Sequence, residues 1–348
     1  MPASLPALSR TVRRGLAGCL RPGEASVLLA VSGGPDSLAL MDACAQLAAR
    51  PHHPWRFEVA WVDHGVREAS AAEGAWVASL AGKRGFPFHA TRLTLPAGAG
   101  FEARARVARE AALEDIRKAR GLDVIATGHT ASDQAETVLM RLSRGAALRG
   151  AGGILARKGR VIRPLLGATR QEVLAHLHAR DLVAVDDPMN ADLTFLRCRI
   201  RHRMLPQLEA LTDAGVALRL ARFAALATED DAYLQTHAEE ALRRLTLPEG
   251  AWDRVGLMAL EAPVRRRALH HLIAQHIGPL DGERLDAALR ALATGGRCEL
   301  REGWTLCCER ARVTLSPPAS QTAPHDAGVA PSEALCGSEH PAIVRTPK

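Results

Sequence analysis

Residues Ser32-Gly33-Gly34-Pro35-Asp36-Ser37 close the apolar run 26–31 (SVLLAV) and open the helix-compatible stretch LALMDACAQLAAR. Glycines at this point let the backbone approach an anion without a Cβ in the way. The helix that follows offers unpaired N–H groups and the positive end of its dipole, and Ser32 and Ser37 add hydroxyl donors. That is the chemistry of a phosphate cradle. No G-K-[ST] follows, so the lysine that grips β- and γ-phosphates in enzymes cleaving the γ-phosphate is absent. Asp36 stands in the loop instead, suited to hold Mg²⁺ or a substrate ammonium. A ligand-free turn is the plainer reading of Gly33-Gly34 alone; the full hexapeptide between strand and helix favours the cradle.

His129, Asp133 and Glu136 follow one another at spacings of four and three, so they share a helix face. Carboxylates so placed bind cations or move protons. The alternative is Asp133 capping the helix start and Glu136 on a solvated face. With no further ligand nearby in sequence, a structural metal site is not expected. Arg106 and Arg109, with Arg104, lie on the helical stretch 102–120, where they can meet phosphates or charge developing at phosphorus, or form an exposed basic face. Arg141, Arg144 and Arg149, and the run Arg197, Arg199, Arg201 and Arg203, suit an RNA backbone or a solvated surface equally. Asp63 and His64 end the second strand and His129 the fourth, where they line a nucleotide pocket or serve as satisfied structural residues.

The elements that must position these residues alternate. Strands at 26–31, 56–66, 86–93 and 123–129 are separated by helical stretches, with Ser70 and Glu73 in capping-box spacing at the start of one. A further strand is read at VIRPLL (161–166), then a helix at 169–181 and a loop at 183–206. Strand–helix alternation predicts an α/β fold, a parallel sheet with helices on both faces and the site at the strand ends. From about 211 to 290 the periodicity is helical, and 295–315 reads as a short strand pair. The expected organisation is a lead-in helix (1–24), the α/β domain (25–208), a smaller, mostly helical domain (209–315) and a proline-rich disordered tail (316–348).

Composition narrows the classes. Lys+Arg exceed Asp+Glu by 45 − 38 = 7 over 348 residues, which admits phosphate-bearing partners without proving one. Aromatic residues are only 3%, which disfavours a multi-aromatic single-strand binder. Seven scattered cysteines without a C-x-x-C pair suggest neither a disulfide framework nor a zinc or iron–sulfur site, and fit a reducing, cytoplasmic setting. No window approaches a membrane span.

SGGPDS after a strand resembles the PP-loop of the N-type ATP pyrophosphatases, which adenylate a substrate oxygen and release diphosphate. VDHGVREAS (62–70), FEARARVAR (101–109), GHTASDQAETVLMRLSRG (128–145), RPLL (163–166) and DDPMNADLTFLRCRIRHRMLP (186–206) together resemble the tRNA(Ile)-lysidine synthase family. The resemblance covers 25–206 well and the region to 315 loosely. Glu110, Met189 and Cys198 depart from the family pattern.

The resemblance implies an adenine-nucleotide-hydrolase-like fold and an ATP-dependent ligase. Such an enzyme joins L-lysine to C2 of the wobble cytidine of a CAU-anticodon isoleucine tRNA, with Mg²⁺ carried on ATP. It implies ATP contacts at Ser32, Gly33, Gly34, Pro35, Asp36, Ser37, Asp63, His64 and His129, and catalytic roles for Asp36, Asp133, Glu136, Arg106 and Arg109. It implies tRNA contacts at Arg141, Arg144, Arg197, Arg201, Arg265 and Arg266. Asp133 and Glu136 would take the lysine ammonium groups or Mg²⁺. Oligomeric state stays open, a homodimer included. A PP-loop tRNA thiolase and a non-catalytic, nucleotide-sensing RNA-binding protein are the competing readings.

Overall fold

The computed structural model describes residues 5–63, 70–94, 96, 98, 100–185, 192–212 and 214–318. The chain divides into two compact units, 1–233 and 234–348. The division falls inside a helix rather than at 208/209.

In the first unit the order is α1 (Ala7–Cys19), β1 (Ser26–Ala30), α2 (Pro35–Ala48), β2 (Arg56–Asp63), α3 (Ser70–Lys83), β3 (Phe88–Arg92), α4 (Phe101–Ala119), β4 (Val124–Ala126), α5 (Ala131–Leu142), α6 (Leu148–Ala151), β5 (Arg157–Lys158), β6 (Val161–Ile162) and α7 (Arg170–His178). It continues through α8 (Leu196–Arg199), a π-helical turn (Ile200–Met204), α9 (Leu205–Leu211) and the first part of α10 (Val216–Leu245). The sheet runs β3-β2-β1-β4-β6-β5, parallel except for the β5–β6 edge hairpin; β6 falls within the strand expected at 161–166, whereas β5, two residues long, carried no periodicity to read.

β1 is apolar along its length because it is covered on both faces, as central parallel strands are. Val27 and Leu29 join a core with α1, α2, α3 and α7, while Leu28 faces Leu113, Leu122 and Ile125 on the α4 side. The lead-in helix is part of that core: Leu8, Val12 and Leu16 are buried in it, and a Cβ on Gly15 would strike the Pro164 carbonyl oxygen at 2.2 Å. β1 pairs with β2 on one side and β4 on the other, so chain order reverses direction at its carboxyl end. In open α/β sheets that point is where ligands bind. The glycine loop sits there, between β1 and α2.

Four carboxylates among the described residues of this unit are buried: Asp42, Glu58, Asp63 and Glu136. Asp42 on α2 accepts from Arg84 Nη2 (2.7 Å) and Gln46 Nε2 (2.8 Å) and contacts His176 Nε2 (3.0 Å). Burial opposes its ionisation, but these partners prevail and hold the carboxyl below the ordinary range. Glu58 on β2 contacts His89, Arg56 and Arg120 in the same way.

In the second unit the latter part of α10 leads to β7 (Thr246–Leu247), β8 (Ala251–Asp253), α11 (Arg254–Ala259), α12 (Ala262–Ile277), α13 (Gly282–Thr294), β9 (Gly296–Glu299), β10 (Thr305–Cys308) and β11 (Arg312–Ser316). The expected helices are present. Beyond the expected strand pair, the strands form a five-stranded antiparallel sheet, β7-β8-β11-β10-β9. Leu257, Leu269, Leu272, Leu292 and Leu306 fill its core. β11 reaches Ser316, and the remainder of the expected tail, 319–348, lies outside the described residues. Among the described residues no helix is long and apolar enough to cross a membrane.

Candidate active site

Gly33 adopts φ = +90°, which favours glycine, and turns the chain from β1 into α2. The loop is folded on itself: Ser37 Oγ donates to the Gly34 carbonyl (2.9 Å) and accepts from the Ser32 N–H (3.2 Å). Pro35 starts α2, and Gly34 before it supplies no side-chain cap to the first turn. Among the described residues a Cβ on Gly34 would meet nothing nearer than Ser32 Oγ at 3.6 Å, so this stretch of the loop backbone is uncrowded. Uncapped N–H groups, a helix dipole and uncrowded backbone are what a phosphate requires.

The loop after β4 packs directly on this cradle. A Cβ on Gly128 would lie 2.8 Å from the Asp36 carbonyl carbon and 2.9 Å from the Ser37 nitrogen. That approach sets His129 and the start of α5 beside Asp36. Thr130 caps α5 in a capping box: its Oγ1 accepts from the Asp133 N–H, and Asp133 Oδ2 accepts from the Thr130 N–H at 2.8 Å.

Asp133 and Glu136 then meet two arginines from the α8–π-turn segment. Arg197 Nη2 donates to Asp133 Oδ1 (2.8 Å) and its Nε to Glu136 Oε2 (2.7 Å). Arg201 donates through Nε to Glu136 Oε1 (2.6 Å) and through Nη2 to Oε2 (3.0 Å). Ile200 and Leu205 pack against Ala135, so apolar contact fixes this segment over α5 while its arginines face the carboxylates. Burial pushes the Asp133 carboxyl up, but the Thr130 N–H and Arg197 outweigh it and leave it lowered. Burial likewise opposes the Arg201 charge, and Glu136 overcomes it.

Asp36 behaves differently. Its Oδ1 is buried without a hydrogen-bond partner, and its only ion-pair contact among the described residues is Arg170 Nη1 at 3.5 Å. Burial first, then the nearby Asp133 charge, raises its carboxyl to about 6. This is the carboxylate with unused binding capacity. No three His, Cys, Asp or Glu side chains among the described residues gather into a metal site. Asp36 therefore suits a divalent cation that brings phosphate ligands of its own.

A model of the PP-loop domain matches residues 8–208. The tRNA(Ile)-lysidine synthase of Novosphingobium aromaticivorans is 45% identical over 231 residues, 64% of this chain and 67% of that protein. That of Thermobifida fusca is 38% identical over 79% of this chain and 88% of its own length, and that of Salinispora tropica 38% over 90% and 97%. The chain belongs to the tRNA(Ile)-lysidine synthase family of PP-loop proteins. In fold it also resembles the U34-tRNA thiolase NcsA of Methanococcus maripaludis, solved with its 4Fe–4S cluster, at a TM-score of 0.53 and 19% identity over 64% of this chain and 78% of that one.

The PP-loop fold brings together Ser32, Gly33, Gly34, Pro35, Asp36, Ser37, His129, Asp133 and Glu136. Asp63 is buried at the carboxyl end of β2, 3.5 Å from Arg92. His64, Met189 and the Ser70 side chain lie outside what the structure describes. His129 is hydrogen-bonded through Nδ1 to Thr127 (2.9 Å), and burial keeps it neutral, with its pKa pushed down to about 4.

The surroundings of the expected residues differ from one another. Asp133 caps α5, as in the alternative reading, but Glu136 is 1% exposed rather than on a solvated face. Arg197 and Arg201, expected to contact RNA, are turned inward onto Asp133 and Glu136, because the apolar side of their segment packs on α5. Arg141 is committed to the carbonyls of Gly150 and Gly153, tying α5 to the following loop. Arg265 donates to the Met258 carbonyl and Arg266 pairs with Asp286, whereas Arg144 is exposed. Arg106 is 69% exposed and paired with Glu110 at 3.1 Å, while Arg109 is more deeply set, with a buried Nε.

Sequence reasoning missed Arg170 and Arg163. Arg170 lies within a T-x-x-E capping box (Thr169, Glu172), a signal that places it in the first turn of a helix. Arg163 carried no signal beyond its motif.

Proposed function

We propose that this chain joins L-lysine to C2 of the wobble cytidine of a CAU-anticodon isoleucine tRNA, consuming ATP and releasing AMP and diphosphate. The observation that carries the reading is the buried, partner-free Asp36 oxygen between a phosphate cradle and a carboxylate–arginine cluster. The cradle holds the ATP phosphates, and Asp36 holds Mg²⁺, which neutralises phosphate charge when bound. The C2 oxygen bonds to the α-phosphorus as diphosphate leaves. The uncharged ε-amine of lysine then bonds to C2, the C2–O bond breaks, AMP departs with the electron pair and the amine loses a proton.

Asp133 and Glu136 provide the negative field for the lysine ammonium groups. Both are already held by Arg197 and Arg201, so lysine must share or displace an arginine contact. The anticodon loop presents unstacked bases, so the cytidine can enter the site without melting a helix. Arg144, Arg265 and Arg266 remain candidates for backbone contact, and these substrates place the reaction in the cytoplasm.

The test is AMP release from α-labelled ATP by the purified protein with the isoleucine tRNA, with lysine supplied or omitted. Turnover that requires both tRNA and lysine supports the reading. AMP release indifferent to lysine, or none with every component present, overturns it.

A further inference from the structure

Besides Asp36 Oδ1, two side-chain atoms among the described residues are buried without a hydrogen-bond partner: Arg109 Nε and Arg163 Nε. Leaving a cationic N–H desolvated and unpaired is costly, and native proteins avoid it except where function requires it. Two such donors come from elements far apart in sequence, α4 and the segment after β6, at the same carboxyl edge of the sheet as the glycine loop.

They share an environment. Both guanidinium groups bear on His129, and Arg106 bears on both. Burial is the main influence depressing each of their pKa values, followed for Arg163 by Arg106. The carboxylate acting on the pair, Glu110, is 58% exposed and already bonded to Arg106. His129 is neutral, so it adds no charge but leaves a polar ring beside the arginines. One arm of Arg163 is anchored, with Nη1 donating to the Leu155 carbonyl at 2.7 Å, which restrains the guanidinium fork. The result is a pair of arginines whose buried Nε donors have no acceptor among the described residues.

We propose that Arg109 and Arg163 form a second oxyanion subsite, separate from the glycine loop, that grips a phosphate group of the reacting substrates. Guanidinium groups match phosphate oxygens in pairs, and a low-dielectric setting strengthens the contact. The third substrate, free lysine, carries a net positive charge and is repelled by three clustered arginines, whereas ATP and RNA are drawn in. The phosphate is either the α-phosphoryl group undergoing transfer or a phosphodiester flanking the cytidine; the chemistry of recognition is the same. This inference rests on the ligase reading above.

The test compares wild type, Arg163→Gln and Arg163→Lys, with the exposed Arg13→Gln as a control. Affinity for a non-hydrolysable ATP analogue, affinity for the tRNA with its salt dependence, and KM for lysine are each measured, beside thermal melting. Arg163→Gln is expected to weaken either analogue binding or tRNA binding by about 10- to 100-fold, with Arg163→Lys recovering part of the loss. Loss in the analogue assay, or of AMP formation at saturating RNA, identifies the transferred phosphate. Loss of tRNA affinity with a shallower salt slope identifies the phosphodiester.

Unchanged phosphate-ligand affinities and turnover overturn the proposal, as does an effect confined to the lysine KM, which would mark a carboxylate site. If Arg163→Gln does not fold, Arg163→Lys decides: wild-type affinities and turnover for both nucleotide ligands refute the fork, and a loss in either supports it. Because wild type is assayed alongside, its failure to form product would refute the ligase reading instead.

Discussion

Replacing Glu136 by Gln tests the inward-facing arginines. The substitution keeps the side chain's shape and removes the charge that Arg201 meets through two hydrogen bonds of 2.6 and 3.0 Å. Arg201 is 16% exposed, so its guanidinium is left largely desolvated with only a 3.4 Å contact to Asp133. Removing one partner of a buried pair costs about 3–5 kcal/mol. Arg197, 42% exposed and still bonded to Asp133, adds little. The retained amide oxygen offsets part of the loss, so about 2–4 kcal/mol is expected. At about 2–4 °C per kcal/mol for a unit of this size, melting of the first unit should fall by roughly 4–16 °C. Circular dichroism melts and urea titrations read the change directly. Combining Glu136→Gln with Arg201→Gln should recover stability, giving a coupling energy above about 1 kcal/mol in the double-mutant cycle. A Glu136→Gln melt within about 1 °C of wild type, or strictly additive mutants, would refute the network as a structural element.

Two further perturbations act on the cradle. For Asp36 the folded pKa of about 6 lies above the ordinary carboxyl value. The folded state therefore holds this proton more tightly, and the stability it contributes is present at pH below about 4 and lost as pH rises through about 6. Asp36→Asn should thus melt higher than wild type at pH 7.5, with the gap closing towards pH 4.5, while AMP formation is abolished; a variant that is less stable at pH 7.5, or fully active, contradicts this. Gly128→Ala drives a Cβ to 2.8 Å from the Asp36 backbone and should cut AMP formation by about tenfold or more through displacement of the loop. Wild-type turnover in that variant would show that the close approach does not set the cradle.

The strand–loop–helix unit around Ser32-Gly33-Gly34-Pro35-Asp36-Ser37 was legible because glycine freedom, proline at the helix start and a buried strand all point to one local structure. So were the shared face of Asp133 and Glu136 and the parallel sheet. What escaped was the direction in which charged residues face. Arg197 and Arg201 look like a basic surface run in sequence, and only the packing of Ile200 and Leu205 on α5 decides that they turn inward. A π-turn within that segment also departs from the helical period on which sequence patterns rest. Asp42 and Glu58 drew no reading from the sequence, because the partners that hold them, Arg84 and His176 for one and His89 and Arg120 for the other, lie many residues away. The second sheet was legible only as a strand pair in part because two of its strands, β7 and β8, have two and three residues, too few to show alternation.

The most direct test of the account is mass analysis of the wobble nucleoside after the protein has acted on isoleucine tRNA with a CAU anticodon, ATP and isotopically labelled lysine. The account predicts that cytidine is replaced by a nucleoside heavier by one labelled lysine less one water, and that omitting lysine abolishes it. Unaltered cytidine alongside AMP release, or sulfur in place of lysine, would contradict it.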